Sequence, residues 1–266
     1  MPDLIFTLSA GRSGSAWLAK FLEANLGFPV LHEPLGIDDF GTRMPDIRVM
    51  RAFNSRGMDP VVSEFWQRKF AHIPTDQPYG ETNHTLGKCG LIEALAESPL
   101  RERAKVVVLR RNLAKQCISY IQRSDFVNIT IPWQWYLTPQ YPNVIVNPDP
   151  FVAMGVTGQA LWYTMEMECR QIYYEKRFAD LIHFIPAQLE EVTQPEGAQC
   201  FLNEFGLETT PILPNKTNAG NYGDTSALVA EIETFLNNVG FDPVDLTDRF
   251  LNAGRSLDLQ RQKMVA

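Results

Sequence analysis

The sequence predicts an α/β fold of three layers, in which helices flank a central, mostly parallel sheet. Short apolar runs alternate with longer segments whose apolar residues repeat at helical spacing, which is the pattern of βαβ units. The chain has 266 residues, 45% of them hydrophobic, and a chain of this size can bury a large core without disulfide or metal staples. It contains no repeat, low-complexity tract or clear linker, so residues 1–266 are predicted to form one domain.

Four short runs have the composition of strands and lie at residues 4–8, 29–31, 106–109 and 181–185. The run at 106–109 is β-branched and uncharged, so we expect it at the centre of the sheet. Apolar residues at helical spacing predict helices from the residues after Ser15 to Leu26, at 113–123 and at 158–178. Two more helices are expected around 201–205 and from Thr225 or Ser226 to Val239, ended by Gly206 and Gly240.

Two segments do not follow this alternation. Residues 36–80 give mixed helical signals, and residues 124–150 contain five prolines among several aromatic residues. Long irregular segments inside a domain are often binding loops or lids. We therefore consider Trp133, Trp135 and Tyr136 as walls of a pocket for a small organic molecule. The alternative is a surface excursion packed by its own aromatic side chains.

The segment from Ser9 to Ser15 joins the first strand to the first helix and has the composition of an anion-binding loop. Gly11 and Gly14 let successive backbone N–H groups point into one concavity, at the positive end of the helix dipole. Arg12 adds a charge, and Ser13 and Ser15 add hydroxyls. The alternative is a plain turn with a serine as the helix N-cap. Neither the GxxxxGK[ST] pattern nor the GxGxxG pattern is present.

Charge and cysteine content limit the possible partners. The net charge is −7, which argues against nucleic acid and favours neutral or cationic small molecules. The cysteines and histidines show neither CxxC nor HExxH spacing, so no metal is expected. No apolar run is long enough to span a bilayer and no signal peptide is recognisable, so we expect a cytoplasmic protein without a membrane partner. The oligomeric state is open.

The segment Gly11-Arg12-Ser13-Gly14-Ser15-Ala16 resembles the 5′-phosphosulfate loop of sulfotransferases that use 3′-phosphoadenosine 5′-phosphosulfate (PAPS). Arg111, which follows the predicted central strand, and Ser119, eight residues later, are similar to the family's 3′-phosphate motif. His32-Glu33-Pro34-Leu35 resembles the Glu-Pro-Leu segment of carbohydrate-type members. The segment Gly220-Asn221-Tyr222-Gly223-Asp224 is similar to a C-terminal Gly-x-x-Gly-Asp loop that covers the nucleotide in cytosolic members; the usual Arg-Lys is missing, and Lys216 lies nearby in the sequence. The resemblance is nearer to carbohydrate-type and bacterial members than to the cytosolic members that use a histidine base.

The resemblance implies a P-loop-like sulfotransferase architecture and a transfer of sulfuryl from PAPS to a hydroxyl or amine. The acceptor would be a small metabolite or sugar, and adenosine 3′,5′-bisphosphate would be the other product. Gly11 to Ala16, Arg111, Ser119 and Lys216 would then bind the nucleotide, and Arg12 would also stabilise the leaving group. Arg110 is expected to turn away from the site and pair with a carboxylate.

The resemblance also implies a general base near the end of the second strand. Glu33 is the first candidate and His32 the second, and strand alternation predicts that only one of them faces the site. Glu81 and His84 lie in a segment similar to an acceptor-side strand of the family, and Lys88 could support the leaving sulfate. A phosphotransferase that uses ATP and Mg²⁺, and a nucleotide-binding protein without activity, remain the alternative functions.

Overall fold

Five strands form one sheet in the computed structural model, which describes residues 4–36, 38–127, 137–215 and 223–262. The strands are β1 (Leu4–Ser9), β2 (Val30–His32), β3 (Tyr79–Thr82), β4 (Ala104–Arg110) and β5 (His183–Gln188). Their spatial order is β2-β3-β1-β4-β5, and every pair of neighbours is parallel. The predicted α/β fold is therefore confirmed, with a sheet that is parallel throughout.

Helices connect the strands and cover both faces of the sheet. Their bounds are α1 (Ser15–Leu26), α2 (Ile47–Arg56), α3 (Pro60–Ala71), α4 (Leu91–Glu97), α5 (Leu113–Gln122), α6 (Asp149–Val152), α7 (Gly155–Arg177), α8 (Leu189–Val192), α9 (Pro195–Asn203), α10 (Ser226–Asn238), α11 (Pro243–Asn252) and α12 (Leu259–Gln262). Short 3₁₀ turns occupy Leu86–Lys88 and Pro99–Arg103. Within the described ranges, no helix is both long enough and apolar enough to cross a bilayer.

Alternate residues of the central strands build two separate cores. Phe6 and Val108 belong to the larger core, whereas Ile5, Val107 and Ile185 belong to the smaller one beneath α1 and α9. This division follows from the period of two along a strand, which sends successive side chains to opposite faces. Because both faces are covered, the two central strands β1 and β4 are apolar along most of their length.

The structure corrects some predicted boundaries. The predicted strand at 181–185 begins only at His183 and continues to Gln188, because it pairs with the whole of β4. Leu181 lies in the preceding turn and is 45% exposed. The mixed signals at 36–80 resolve into α2 and α3, whose N-termini are capped by the side chains of Asp46 and Asp59.

Glu93 of α4 is a carboxylate buried in the larger core. Neither of its oxygens has a hydrogen-bond partner among the described residues. Burial raises the pKa of Glu93 from 4.5 to about 8. The folded protein therefore binds this proton more tightly than the unfolded chain, and stability is lost as the pH rises from about 4.5 to about 8.

Replacing Glu93 with Gln is expected to remove this loss, which is on the order of a few kcal/mol. The free energy of unfolding in urea should fall more steeply between about pH 5.5 and about pH 8.5 in the unmodified protein than in Glu93→Gln. Glu97→Gln, which changes an exposed carboxylate on the same helix, serves as the control. Equal slopes in the unmodified protein and Glu93→Gln would contradict this assignment.

Candidate functional site

The loop between β1 and α1 lies at the carboxyl edge of the sheet, where parallel α/β sheets bind ligands. Gly14 is the N-cap residue of α1 with φ 91°, and no side chain caps the helix. The Ser13 hydroxyl instead donates to the Ala10 carbonyl at 2.6 Å. The N–H groups of the first turn, from Ser15 to Trp17, therefore lack intrahelical acceptors, and no serine N-cap is present. This uncapped helix end fits an anion.

Gly14 is required by both conformation and space. A Cβ atom at this position would lie 2.6 Å from Cδ1 of Leu189, which follows β5. Its positive φ is also unfavourable for residues with a side chain. The close approach of Leu189 keeps the loop packed against the neighbouring β5–α8 junction.

Two arginines that are far apart in the sequence meet at this loop. The Nε of Arg12 donates to the hydroxyl of Ser119 on α5 at 3.0 Å. The Nη1 of Arg111, which follows β4, donates to the backbone carbonyl of Arg12 at 2.9 Å. The structure thus brings together the three polar side chains that the sequence singled out in two separate segments. Two guanidinium groups stand beside an uncapped helix N-terminus, which is a cationic environment suited to phosphate groups.

Arg110, by contrast, turns away from the loop. It forms ion pairs with Glu168 at 2.8 Å and with Glu175, both on α7. This confirms the predicted pairing with a carboxylate. The adjacent arginines therefore have different partners: Arg110, the last residue of β4, pairs with α7, and Arg111, the first residue after the strand, contacts the loop.

Two buried polar side chains hold the loop from beneath, and a third binds the ends of the two strands next to it. The Gly11 carbonyl accepts hydrogen bonds from Nε2 of Gln116, at 2.8 Å, and from the hydroxyl of Tyr120. The amide of Gln171 on α7 donates to the carbonyls of Leu8 and Leu109 at 2.9 and 3.0 Å. None of these three residues was predicted to support the site. The available signal was polar side chains on faces of α5 and α7 that are otherwise apolar.

Arg12 and Glu33 both adopt positive φ, at 61° and 44°. Non-glycine residues are uncommon in this region, and such strain concentrates at functional sites. Glu33 lies just beyond β2, so strand alternation does not govern its direction. The prediction that only one of His32 and Glu33 faces the site does not apply to this geometry.

The carboxylate of Glu33 is paired with the imidazole of His84. The distance between Oε1 and Nδ1 is 2.6 Å, and both side chains are less than one-fifth exposed. Burial by itself would raise the pKa of Glu33. The charge and hydrogen bond of His84, together with the charges of His32 and Lys88, have the larger combined effect and lower this pKa to about 2. Burial and the charge of Lys88 lower the pKa of His84 despite Glu33. At neutral pH the pair is therefore a carboxylate that accepts the Nδ1–H of a neutral imidazole.

His32 lies beside the Glu33–His84 pair, but it forms its hydrogen bonds with Thr82. Its Nδ1 lies 3.1 Å from the Thr82 carbonyl and 3.0 Å from the Thr82 hydroxyl. Because a carbonyl oxygen only accepts, Nδ1 carries the proton and donates to Thr82. The ring of His32 is exposed at the edge of the sheet.

Glu81 is a correction to the predicted site. Its side chain is fully buried, and its oxygens accept from Lys69 at 2.6 Å, from the Tyr79 hydroxyl at 2.5 Å and from Asn83 at 3.0 Å. Both Glu81 and Tyr79 point to the face of β3 covered by α3, so Glu81 lies in an internal ion-pair network. The expected contact with an acceptor does not fit this position.

Lys88 is also fully buried, close to the Glu33–His84 pair. Its Nζ donates to the hydroxyl of Tyr163 at 3.0 Å, and burial lowers the pKa of Lys88 to about 7.

Some predicted site residues lie outside the described residues. They are Trp133, Trp135, Tyr136 and Lys216, together with 220–222 of the C-terminal segment. Gly223 and Asp224 are described and precede α10.

No family model and no curated protein matches the chain. Among solved structures, a sulfotransferase from Alicyclobacillus acidocaldarius is similar to it, with 15% sequence identity and a TM-score of 0.48 over 99% of each chain. The function is therefore inferred from the geometry of the site rather than from this similarity.

Proposed function

We propose that this protein is a sulfotransferase that moves a sulfuryl group from PAPS to a hydroxyl or amine of a small metabolite or sugar. The observation that carries the proposal is the meeting of Arg12, Ser119 and Arg111 at one end of the sheet. PAPS has phosphate groups on both sides of its ribose, and two guanidiniums beside an uncapped helix offer a partner to each.

In this proposal the loop and the β4–α5 junction have separate roles. Arg12 and the N–H groups of Ser15 to Trp17 hold the 5′ phosphosulfate, while Arg111 and Ser119 hold the 3′-phosphate. As the bond between sulfur and the bridging oxygen breaks, negative charge grows on the leaving 5′-phosphate. Arg12 and the helix N-terminus are already in place to stabilise that charge, which costs no reorganisation during the reaction.

The acceptor loses a proton as its oxygen or nitrogen attacks sulfur. Glu33 was the base predicted from the sequence, but a carboxylate with a pKa of about 2 is a weak proton acceptor. We therefore assign the proton to the Glu33–His84 pair, with the imidazole accepting it at Nε2. Glu33 fixes the tautomer of the ring and stabilises the imidazolium that forms, as carboxylates do in other His-based sites.

The proposed transfer requires no other protein group than Arg12, Arg111, Ser119, the helix N-terminus and the Glu33–His84 pair. A bond forms between sulfur and the acceptor, and the bond between sulfur and the phosphate oxygen breaks. The acceptor proton passes to His84, and adenosine 3′,5′-bisphosphate leaves as an anion. His32, exposed next to the pair, is the second candidate for the proton.

The test is transfer of ³⁵S from labelled PAPS to a panel of small alcohols, amines and sugars. We expect label in one acceptor class, with neutral or cationic acceptors preferred because the protein carries a net charge of −7. ATP with Mg²⁺ is the comparison donor. Turnover of ATP that is abolished by EDTA, without any transfer of label from PAPS, would contradict the proposal.

A further inference from the structure

Glu190 lies beside the cationic pocket formed by Arg12 and Arg111. A carboxylate at this position is unexpected, because its negative charge would repel a bound anion. Glu190 lies on α8, directly after β5. Its two oxygens accept from the backbone N–H of Asn112 at 3.2 and 3.3 Å, and Oε2 also accepts from Nε2 of Gln188 at 2.7 Å. These contacts fix the carboxylate at the junction between β4 and α5.

That junction carries Arg111, the residue immediately before Asn112. Burial lowers the pKa of Arg111, and the charge of Glu190 is the largest effect that opposes this change. Glu190 makes no ion pair with Arg111 among the described contacts, since Arg111 donates to the Arg12 carbonyl instead. The carboxylate therefore acts on the guanidinium of Arg111 through space, and its negative charge offsets part of the positive charge of Arg111.

We infer that Glu190 weakens the hold of this pocket on its phosphorylated nucleotide and so speeds the release of adenosine 3′,5′-bisphosphate. The inference rests on the proposed function, because it concerns the same nucleotide. The 3′-phosphate that the proposal places next to Arg111 is repelled by the carboxylate, which lowers the affinity for the nucleotide and raises its rate of dissociation. Such a residue sets the affinity for the nucleotide without touching the reacting atoms, so it is not a catalytic residue.

The Glu190→Gln variant separates charge from structure, because its amide oxygen can still accept from the Asn112 N–H. Calorimetric titration with adenosine 3′,5′-bisphosphate at low salt is expected to give about tenfold tighter binding than in the unmodified protein. Stopped-flow displacement should show slower dissociation of the bisphosphate, and the difference in affinity should narrow at high salt. A purely structural role would not produce this salt dependence.

Glu191→Gln is the matched control, since it removes the same charge from the neighbouring, exposed residue. It should leave the affinity within about twofold of the unmodified protein. Two results would overturn the inference. Unchanged affinity in Glu190→Gln would mean that the charge of Glu190 does not affect nucleotide binding, and weaker binding would mean that the carboxylate is needed to position Arg111. Absence of any binding to the unmodified protein would instead reject the proposed function itself.

Discussion

Replacing His84 with Asn is expected to lower the rate of sulfuryl transfer by about 10²–10⁴, which is the usual contribution of a general base. Asn retains an N–H that can donate to the carboxylate of Glu33, so Glu33 keeps a partner in place of the 2.6 Å contact. The loss should therefore appear in kcat, while the affinity for adenosine 3′,5′-bisphosphate stays unchanged. Initial rates with labelled PAPS, together with a nucleotide titration, measure both quantities.

The comparison variants are His32→Asn and Glu33→Gln. The first removes the neighbouring imidazole and is expected to have little effect, whereas the second removes the charge that stabilises the imidazolium and should resemble His84→Asn. Full activity in His84→Asn with a large loss in His32→Asn would transfer the role of base to His32.

The pH profile of kcat/KM provides a second readout of the same assignment. The base must be unprotonated, so the rate falls as the pH drops through the pKa of His84. Because burial and Lys88 lower that pKa from its usual 6.5, the acidic limb should lie below pH 6.5. In His84→Asn this limb should be lost.

The second large effect is expected from Arg12→Ala, which removes the guanidinium that the proposal places next to the leaving phosphate. Loss of one preorganised group at a developing anion lowers the rate by about 10²–10³. The substitution also deletes the hydrogen bond to Ser119 that links the loop to α5. Arg12→Lys should recover part of the rate, since it retains a charge but not the Nε–H.

Lys20→Ala is the control for this experiment, because Lys20 is an exposed cation on α1, the helix that follows the loop. Single-turnover rates of transfer and bisphosphate affinities should be measured for all three variants. If Arg12→Ala behaves like Lys20→Ala in both measurements, then Arg12 has no part in the chemistry.

Much of the fold could be predicted because each element has a strong local signal. The buried run at 4–8, the glycine-containing loop and the apolar spacing up to Leu26 indicate β1, the loop and α1 without any long-range information. The β-branched run at 106–109 likewise indicates a central strand. The signal is weak for β3, which has only four residues, Tyr79–Thr82, and contains both a glycine and a glutamate.

The anion-binding loop could be predicted from its own residues, and the partners of the loop only where the resemblance pointed to them. The contact between Glu33 and His84 joins positions 51 residues apart and depends on the order β2-β3-β1, which no local pattern reveals. Glu81 was assigned to the site through the resemblance, and so short a strand gives no pattern that would show on which face of β3 it lies. Gln116 was missed because a buried polar residue on an amphipathic helix gives no indication of the carbonyl it binds.

A calorimetric titration that compares adenosine 3′,5′-bisphosphate with adenosine 5′-phosphate examines whether the pocket engages both ends of the nucleotide. We predict that the unmodified protein binds the bisphosphate at least about tenfold more tightly, since Arg111 and Ser119 would hold the 3′-phosphate. Arg111→Ala should remove that difference, whereas Lys115→Ala, which deletes an exposed charge on α5, should preserve it. Equal affinity for the two nucleotides in the unmodified protein, or an undiminished difference in Arg111→Ala, would contradict the proposed site.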